Sequence, residues 1–319
     1  MQYRIRHETV YDYQSDVAHA HHLLHLVPRP APFQRCLEHA VSISPASVSR
    51  REEVDAFGNP VTRIEIATTH RRLDVTSEMQ VEVHPRPVLR AADSNPWELC
   101  RARLDFDGLS PSHEVLEARR FRHESPHVRI KQQFVDYAAD AFAPQRPLLE
   151  GAVALMSRLH GDITYAPGET SVATPTTEVL SRRRGVCQDF AHVMIACLRS
   201  RGLAARYVSG YLHSRPPARA PQTDSAAAAV AGDVRAAARD EARQRLVGHD
   251  ASHAWVAVYA PPFGWVELDP TNGCHVGIDH VAIAWGRDFG DVSPLRGVII
   301  GGGRHGLAVR VAVVPVTPS

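Results

Sequence analysis

The chain has 319 residues, which is enough for one large domain or two ordinary ones. Hydrophobic residues make up 44% of it and can fill a buried core. Its 36 basic and 35 acidic residues leave a formal net charge of only +1. That balance argues against a nucleic-acid-binding protein, because such a protein needs a strongly basic face.

The N-terminal segment MQYRIRHETVYDY is too polar for a secretory signal peptide. No stretch approaches the roughly 20 apolar residues that span a bilayer. The five cysteines are scattered through a long chain, which is not the pattern of a disulfide framework. The sequence therefore predicts a cytoplasmic protein with free thiols and without a membrane or nucleic-acid partner, and no feature predicts its oligomeric state.

Residues 1 to about 85 are predicted to form β-strands. Apolar and polar residues alternate in segments such as 62–66 and 79–83, and turn-forming prolines and glycines separate these segments. Short strands at this spacing favour an antiparallel β-sandwich. We therefore assign residues 1–90 to an N-terminal β domain.

A proline-rich linker leads into a second part of the chain, residues 91–319. Apolar residues recur there at helical intervals in three segments: residues 130–142, 148–159 and 187–201. Four later segments are predicted to form strands: residues 207–212, 253–259, 265–269 and, as a closing strand, 308–315. Helices followed by strands predict an α+β core.

Residues 214–250 interrupt this core. They are rich in proline and alanine and contain no pattern with recognisable chemistry, so we interpret them as an insertion, either a loop or an added helix. Because they directly precede His253, they are placed to cover a cleft at that residue.

The most informative local pattern is RGVCQDFAH, in which Gly185 precedes Cys187 and Cys187 begins a predicted apolar helix. Unpaired N–H groups and the helix dipole favour negative charge at a helix N-terminus, and the thiolate is the nucleophilic form of cysteine. Taken alone, Cys187 is more simply explained as a small buried apolar residue. His192 faces another side of the helix, so we assign it to packing or hydrogen bonding. The remaining cysteines have no comparable setting: Cys36, Cys100, Cys197 and Cys274.

Two later segments supply a histidine and an aspartate. His253 heads the strand HAWVAVY, and Asp269 closes the strand WVELD beyond a predicted hairpin loop. Such a loop pairs positions whose numbers sum to roughly 522–525, so Asp269 faces residues 253–256. Each residue alone has a simpler explanation, a strand-end histidine and a turn aspartate. Together with Cys187 they have the placement that a nucleophile, a base and an orienting carboxylate require.

The segments GVCQDFAH, SHAWVAVY and GWVELDPTNG resemble the three catalytic blocks of the transglutaminase-like superfamily, whose members are related to papain-type cysteine proteases. The likeness is closest to bacterial transglutaminase-like proteins, whose N-terminal β domain opens much like YRIRHETVYDY and LLHLVPRP. It covers nearly the whole chain outside residues 214–250. It implies a papain-like core, in which a helix bundle carrying the cysteine packs on an antiparallel sheet carrying the histidine and the aspartate.

The resemblance implies Cys187 as nucleophile, His253 as general acid and base, and Asp269 as the residue that orients His253. It also implies an oxyanion site formed by the Cys187 N–H and a preceding side chain, for which Tyr165 is a candidate donor or else a core aromatic. Gln188 follows the family pattern in a supporting or catalytic role. The implied reaction is acyl transfer on an amide bond of a protein or peptide, through a thioester, and no cofactor is expected.

The same three residues serve a transferase, if an amine resolves the thioester, and a cysteine peptidase or amidase, if water does. Acceptor access and exclusion of water decide between these outcomes, and the sequence does not specify them. A non-catalytic protein-binding module on the same fold is the alternative from another class.

Two histidine patterns raise the question of a metal. His249 and His253 have the spacing of a zinc hydrolase motif, but that motif requires a helix, and His253 begins a strand-like segment. A second group lies near the N-terminus: His19, His21, His22 and His25. Its partial alternation is typical of a β-strand with histidines on its exposed face, so no metal site is expected there.

Overall fold

The computed structural model describes residues 1–105, 111–213 and 252–316, so the predicted insertion at 214–250 lies outside the described residues. The strands are β1 (Gln2–Leu24), β2 (Gln34–Ser44), β3 (Ser49–Val54), β4 (Pro60–Ile66), β5 (His70–Val83), β6 (Thr164–Tyr165), β7 (Arg184–Gly185), β8 (Ala205–Leu212), β9 (His253–Tyr259), β10 (Trp265–Asp269), β11 (Cys274–His275), β12 (His280–Gly286), β13 (Leu295–Gly301) and β14 (His305–Val316). The helices are α1 (Trp97–Arg103), α2 (His113–Arg119), α3 (Gln132–Ala138), α4 (Leu148–Asp162), α5 (Thr176–Arg182), α6 (Cys187–Ser200) and α7 (Phe289–Val292). This mixture of helices and antiparallel sheets confirms the predicted α+β class. Within the described ranges, no helix is long and apolar enough to cross a membrane.

The N-terminal sheet is antiparallel and is built around β1. The first half of β1 pairs with β5 on one side and β14 on the other, and its second half pairs with β4 and β13. Strands β4 and β5 pair with different halves of β1, yet their side chains share one apolar cluster that includes Ile64 and Val75. The sheet therefore curls around a core of its own.

The closing strand predicted at 308–315 forms within β14, but it lies in the N-terminal sheet and not in the core to which the sequence assigned it. β14 pairs with β1 from Gln2 to Tyr13. The physical reason is that β1 is long enough to offer an open edge along both of its halves, and backbone groups on such an edge need partners. Val311 and Val313 of β14 also pack against the main core cluster.

The second sheet has the strand order β11-β10-β9-β8-β12 and carries the C-terminal half of the core. Its strands β8 and β9 are buried along their whole length. Alternate residues of β9 face different neighbours: Val256 and Val258 join the cluster that contains α6, whereas Trp255 and Ala257 join a separate aromatic cluster on the other face. Burial on both faces explains why β9 is almost entirely apolar after His253.

Helix α6 runs through the middle of the core, between β8 and β9 on one side and α3, α4 and α5 on the other. A helix enclosed in this way needs mostly apolar side chains, as FAHVMIACL supplies apart from His192. Arg199 near its C-terminus is a further buried polar residue, at 2% exposed. Its guanidinium donates hydrogen bonds to the carbonyl oxygens of Ala205 and Arg287, at 2.8 and 2.7 Å. These bonds fix the far end of α6.

Two side-chain amides join the N-terminal sheet to the second sheet. Gln34 donates to the carbonyl of Ala282 and accepts from its N–H, both at 2.7 Å. Asn59 does the same for Trp285, at 2.9 and 3.0 Å. Both partners lie on β12, an edge strand, so the amides pair backbone groups that no neighbouring strand satisfies.

Candidate active site

Cys187 is the first residue of α6, and the turn that leads to it is held by Asp189. One carboxylate oxygen of Asp189 accepts from the Val186 N–H at 2.8 Å and from the Thr170 hydroxyl at 2.6 Å. A Cβ atom at Gly185 would lie 2.7 Å from the same oxygen, so the position needs a glycine. The sequence RGVCQD therefore fixes the direction in which α6 begins and with it the position of the sulfur.

The sulfur of Cys187 lies beside the segment that enters β9. Its Sγ is 4.0 Å from the carbonyl oxygen of Ser252, the residue before His253. The residue is 9% exposed, so it is nearly covered but still reachable. The N–H of Cys187, at the first position of α6, has no partner within the helix and is available to an oxyanion formed at the sulfur, whereas the N–H of Asp189 already donates to the carbonyl of Val186 at 2.8 Å.

His253 and Asp269 meet at one end of the β9–β10 hairpin. The pairing of Leu268 with Val256 has the register that the sequence predicts. His253 Nε2 lies 2.8 Å from Asp269 Oδ2, and the two side chains are fully buried. His253 Nδ1 has no hydrogen-bond partner among the described residues. Cys187 is close enough to raise the pKa of the ring, so Nδ1 is the nitrogen available to the thiol.

The charged groups around His253 favour the protonated form of its ring. Burial by itself lowers the pKa of His253, but Asp269 and then Cys187 outweigh it and raise the pKa to about 10. Burial works to raise the pKa of Asp269, but His253 and His280 hold it well below its usual value. At neutral pH the pair is therefore an imidazolium and a carboxylate.

Asp269 is also a turn residue, as its position before a proline indicates. Its Oδ1 accepts from the N–H groups of Thr271 and Asn272, at 3.0 and 3.2 Å. Its Oδ2 accepts from Nδ2 of Asn272 at 2.7 Å and lies 3.2 Å from Nε2 of His280, in addition to His253. Sequence analysis missed Asn272 and His280. The turn sequence DPTN was a signal for Asn272, but nothing in the sequence connects β12 with this site.

His280 has the geometry of a positioning residue for Asp269. Its Nδ1 accepts from the N–H of Gly277 at 3.3 Å, so its hydrogen resides on Nε2 and points to the carboxylate. Its ring packs edge-on against Trp255, with the centroids 5.4 Å apart. The carboxylate is thus held by a residue of β12 as well as by its own turn.

Replacing His280 with phenylalanine should keep the ring packing but lower kcat about tenfold, because a hydrogen bond to a charged group contributes about 1.5 kcal/mol or more. KM should stay nearly constant, since His280 is only 2% exposed and acts through Asp269. Glutamine at the same position retains a donor and should restore most of kcat. Steady-state kinetics of His280→Phe and His280→Gln test this, and equal kcat values for the two variants would refute the positioning role.

The two further residues singled out from the sequence lie next to Cys187. The backbone of Tyr165 pairs with Gly185 across the short parallel strands β6 and β7, and its ring packs against the main core cluster. Gln188 is half-buried in the first turn of α6. Their roles as an oxyanion donor and a supporting residue stay predictions.

His192 packs within the protein as expected. Its Nε2 accepts from the N–H of Phe289 at 3.1 Å, and its ring stacks on His127 with the centroids 5.7 Å apart. Burial lowers its pKa to about 3, so the ring is neutral at physiological pH.

The zinc hydrolase motif considered for His249 and His253 requires both histidines to lie on one helix. His253 begins a strand and not a helix, so it does not meet this requirement. His249 lies outside the described residues.

Comparison with known proteins identifies the family of this chain. Residues 3–82 match the bacterial transglutaminase-like N-terminal region, and residues 135–270 match the transglutaminase-like superfamily. An uncharacterized protein of Mycobacterium tuberculosis is 37% identical over 321 residues, which covers 98% of this chain and 92% of the relative. Another from Mycobacterium leprae is 30% identical over 310 residues and covers 97% of each chain.

A solved structure shows the same architecture. A Cytophaga hutchinsonii protein, described as a candidate cysteine protease, has a TM-score of 0.67 with 16% identity, and the match covers 100% of this chain and 92% of that one. At this identity the likeness shows the fold alone. The matched superfamily region contains Cys187, His253 and Asp269. The chain belongs to the bacterial transglutaminase-like proteins of the transglutaminase-like superfamily and has the papain-like α+β fold of cysteine enzymes.

Proposed function

We propose that this protein is a cysteine-dependent acyl-transfer enzyme that acts on amide bonds of proteins or peptides. One observation carries the proposal: Asp269 holds His253 Nε2 at 2.8 Å, which leaves Nδ1 for the sulfur at the start of α6. A nucleophile, an acid–base group and an orienting carboxylate are thereby brought together from three elements.

In the first half-reaction, the Cys187 thiolate attacks the amide carbonyl, which is either a glutamine γ-amide or a peptide bond. The carbonyl oxygen becomes an oxyanion, and the Cys187 N–H donates to it, with Tyr165 as the proposed second donor. The imidazolium of His253 gives its proton to the leaving amine as the C–N bond breaks. The product is a thioester on Cys187 and a free amine.

In the second half-reaction, His253 takes a proton from the incoming nucleophile, which attacks the thioester and releases Cys187. A primary amine gives a new amide and a transferase, and water gives an acid and a peptidase or amidase. Hydrolysis is the second candidate outcome, because the same three residues serve it. The Cytophaga hutchinsonii protein that shares this fold is described as a candidate cysteine protease.

Mass spectrometry of a glutamine-rich protein incubated with a primary amine tests the proposal. Amine incorporation identifies a transferase, deamidated glutamine an amidase, and a cut backbone a peptidase. Each product should be absent with the Cys187→Ser variant. A native chain that gives none of the three with a panel of proteins and peptides would favour the non-catalytic binding module instead.

Thiol labelling gives a test that needs no substrate. Burial raises the pKa of each of the other four thiols, for example to about 11 for Cys100 and about 12 for Cys274. Cys187 instead lies at a helix N-terminus with His253 nearby, a setting in which cysteines are typically reactive. Iodoacetamide at mildly acidic pH should therefore modify Cys187 first. Equal modification of all five cysteines would contradict the proposed nucleophile.

A further inference from the structure

The histidines near the N-terminus differ in exposure. His22 of β1 and His25, just beyond the end of β1, are buried, whereas His21 is exposed and His19 is partly exposed. His19 and His21 are two positions apart on a strand, so their side chains project from the same face. On the neighbouring strand β4, Glu65 is the direct register partner of His21. The antiparallel pairing of β4 with β1 thus places the Glu65 carboxylate beside the imidazole rings of His19 and His21.

The ligand atoms of these three residues converge. His19 Nε2 lies 3.0 Å from His21 Nε2 and 3.2 Å from Glu65 Oε1. All three atoms lie within 4.8 Å of one another. A tetrahedral zinc centre with ligands at about 2.0–2.1 Å would place its ligand atoms about 3.3 Å apart. The two separations from His19 Nε2, 3.0 and 3.2 Å, are close to that value.

Hydrogen bonding alone accounts poorly for the arrangement. An imidazole nitrogen has one in-plane direction, occupied by either a hydrogen or a lone pair. His19 Nε2 therefore cannot donate to Glu65 and accept from His21 along the same direction. One cation at the centre would satisfy all three atoms at once, because each would present a lone pair to it.

We propose that His19, His21 and Glu65 form a binding site for one divalent transition-metal ion of the zinc type. Two imidazoles and a carboxylate are ligands that suit such ions, and three protein ligands leave a fourth position for water. Val298 and Ile300 of β13 are the register partners of His21 and His19 on the side away from Glu65, and they flank the site with apolar surface. The site lies in the N-terminal sheet and takes no part in the proposed acyl transfer.

Metal binding can be measured on untagged protein that has been treated with chelator and then titrated with Zn²⁺ by calorimetry and with Co²⁺ by visible absorption. The titration uses the Cys187→Ser background, because a free thiolate would bind both ions. We expect one equivalent of metal per chain. The His21→Ala variant should weaken binding at least 100-fold, and Glu65→Gln at least tenfold.

The matched control is His84→Ala, because His84 is an exposed histidine 3.4 Å from a single carboxylate, Glu82. This variant should bind metal like its parent. Failure of the parent to bind metal would overturn the proposal, as would equal affinities of the parent and His21→Ala. Thiol labelling of Cys187 should be the same in native protein and in His21→Ala. The outcome of the metal titration is therefore independent of the proposed enzymatic function.

Discussion

Replacing Cys187 with serine should lower turnover by about 10⁴-fold or more, because the loss of a covalent nucleophile removes the whole thioester route. Serine is close to cysteine in size, so α6 should begin as before. Its hydroxyl is a far weaker nucleophile than a thiolate beside an imidazolium. The measurement is kcat/KM on the substrate found by mass spectrometry, together with the mass of acid-quenched enzyme, which should show an acyl adduct only on the native chain.

Cys36→Ser is the matched control for this variant. Cys36 lies on β2 in the N-terminal sheet, where its thiol contacts the carbonyl of Glu38 at 3.4 Å. The control should keep native turnover and form the acyl adduct. Native-like turnover by Cys187→Ser would contradict the mechanism, and so would an acyl adduct on any other residue.

The second large effect is expected at Asp269. An asparagine there should lower kcat about 10³–10⁴-fold, because its amide cannot hold the protonated ring of His253 in the same orientation. The pH profile should change as well. In the native enzyme, activity that needs the imidazolium is lost as the pH rises through about 10. Without the carboxylate charge, burial lowers the pKa of His253, so the alkaline limb should move down by several pH units.

Stability should follow the same linkage. The pKa of His253 in the folded protein, about 10, lies above its value near 6.5 in the unfolded chain. Protonation of this residue therefore stabilises the fold fully below about pH 6.5. The stabilisation is lost as the pH rises through about 10. The lowered pKa of Asp269 contributes stability above about pH 4, which is lost at lower pH. Urea unfolding at pH 6.5 and 10 should therefore show a smaller pH effect in Asp269→Asn than in the native chain.

Asp55 offers an unusually close control for Asp269. Its Oδ1 accepts from the N–H groups of Phe57 and Asn59, both at 2.8 Å, and its Oδ2 contacts the Asn59 amide at 2.8 Å and His25 Nε2 at 3.3 Å. The same kinds of donor surround Asp269, but Asp55 lies in the turn between β3 and β4 of the N-terminal part, and its hydrogen bonds are to residues other than those of the candidate site. Asp55→Asn should lower stability without shifting the alkaline limb. A shift in both variants would mean that the effect is not specific to the site.

The residues of the site that depend on local pattern were predictable from the sequence. Cys187 at a helix start and the His253–Asp269 hairpin follow from helical periodicity and from loop length, and both arrangements are present in the structure. His280 was not predictable, because it reaches Asp269 from β12, whose backbone pairs with β8 and not with β10. Contacts between strands that are not neighbours leave no periodic signal in a sequence.

In the fold as well, elements specified by local sequence patterns were predictable, and long-range strand pairings were not. The helices at 148–162 and 187–200 and the strands β9 and β10 lie close to their predicted bounds, because apolar periodicity specifies them. Strand β13 was missed since its glycine-rich sequence, LRGVIIG, weakens the strand pattern. The placement of β14 was missed because pairing with β1 is a long-range choice that alternation alone does not encode.

The position of β1 at the centre of its sheet has a kinetic consequence. It is synthesised long before β13 and β14, yet Gln2 pairs with Val316 and Leu24 with Leu295. One edge of β1 must therefore stay open until β13 and β14 have emerged, and closing so large a loop is entropically costly and slow. During that interval an exposed strand edge is a target for chaperones and for misassociation with other nascent chains.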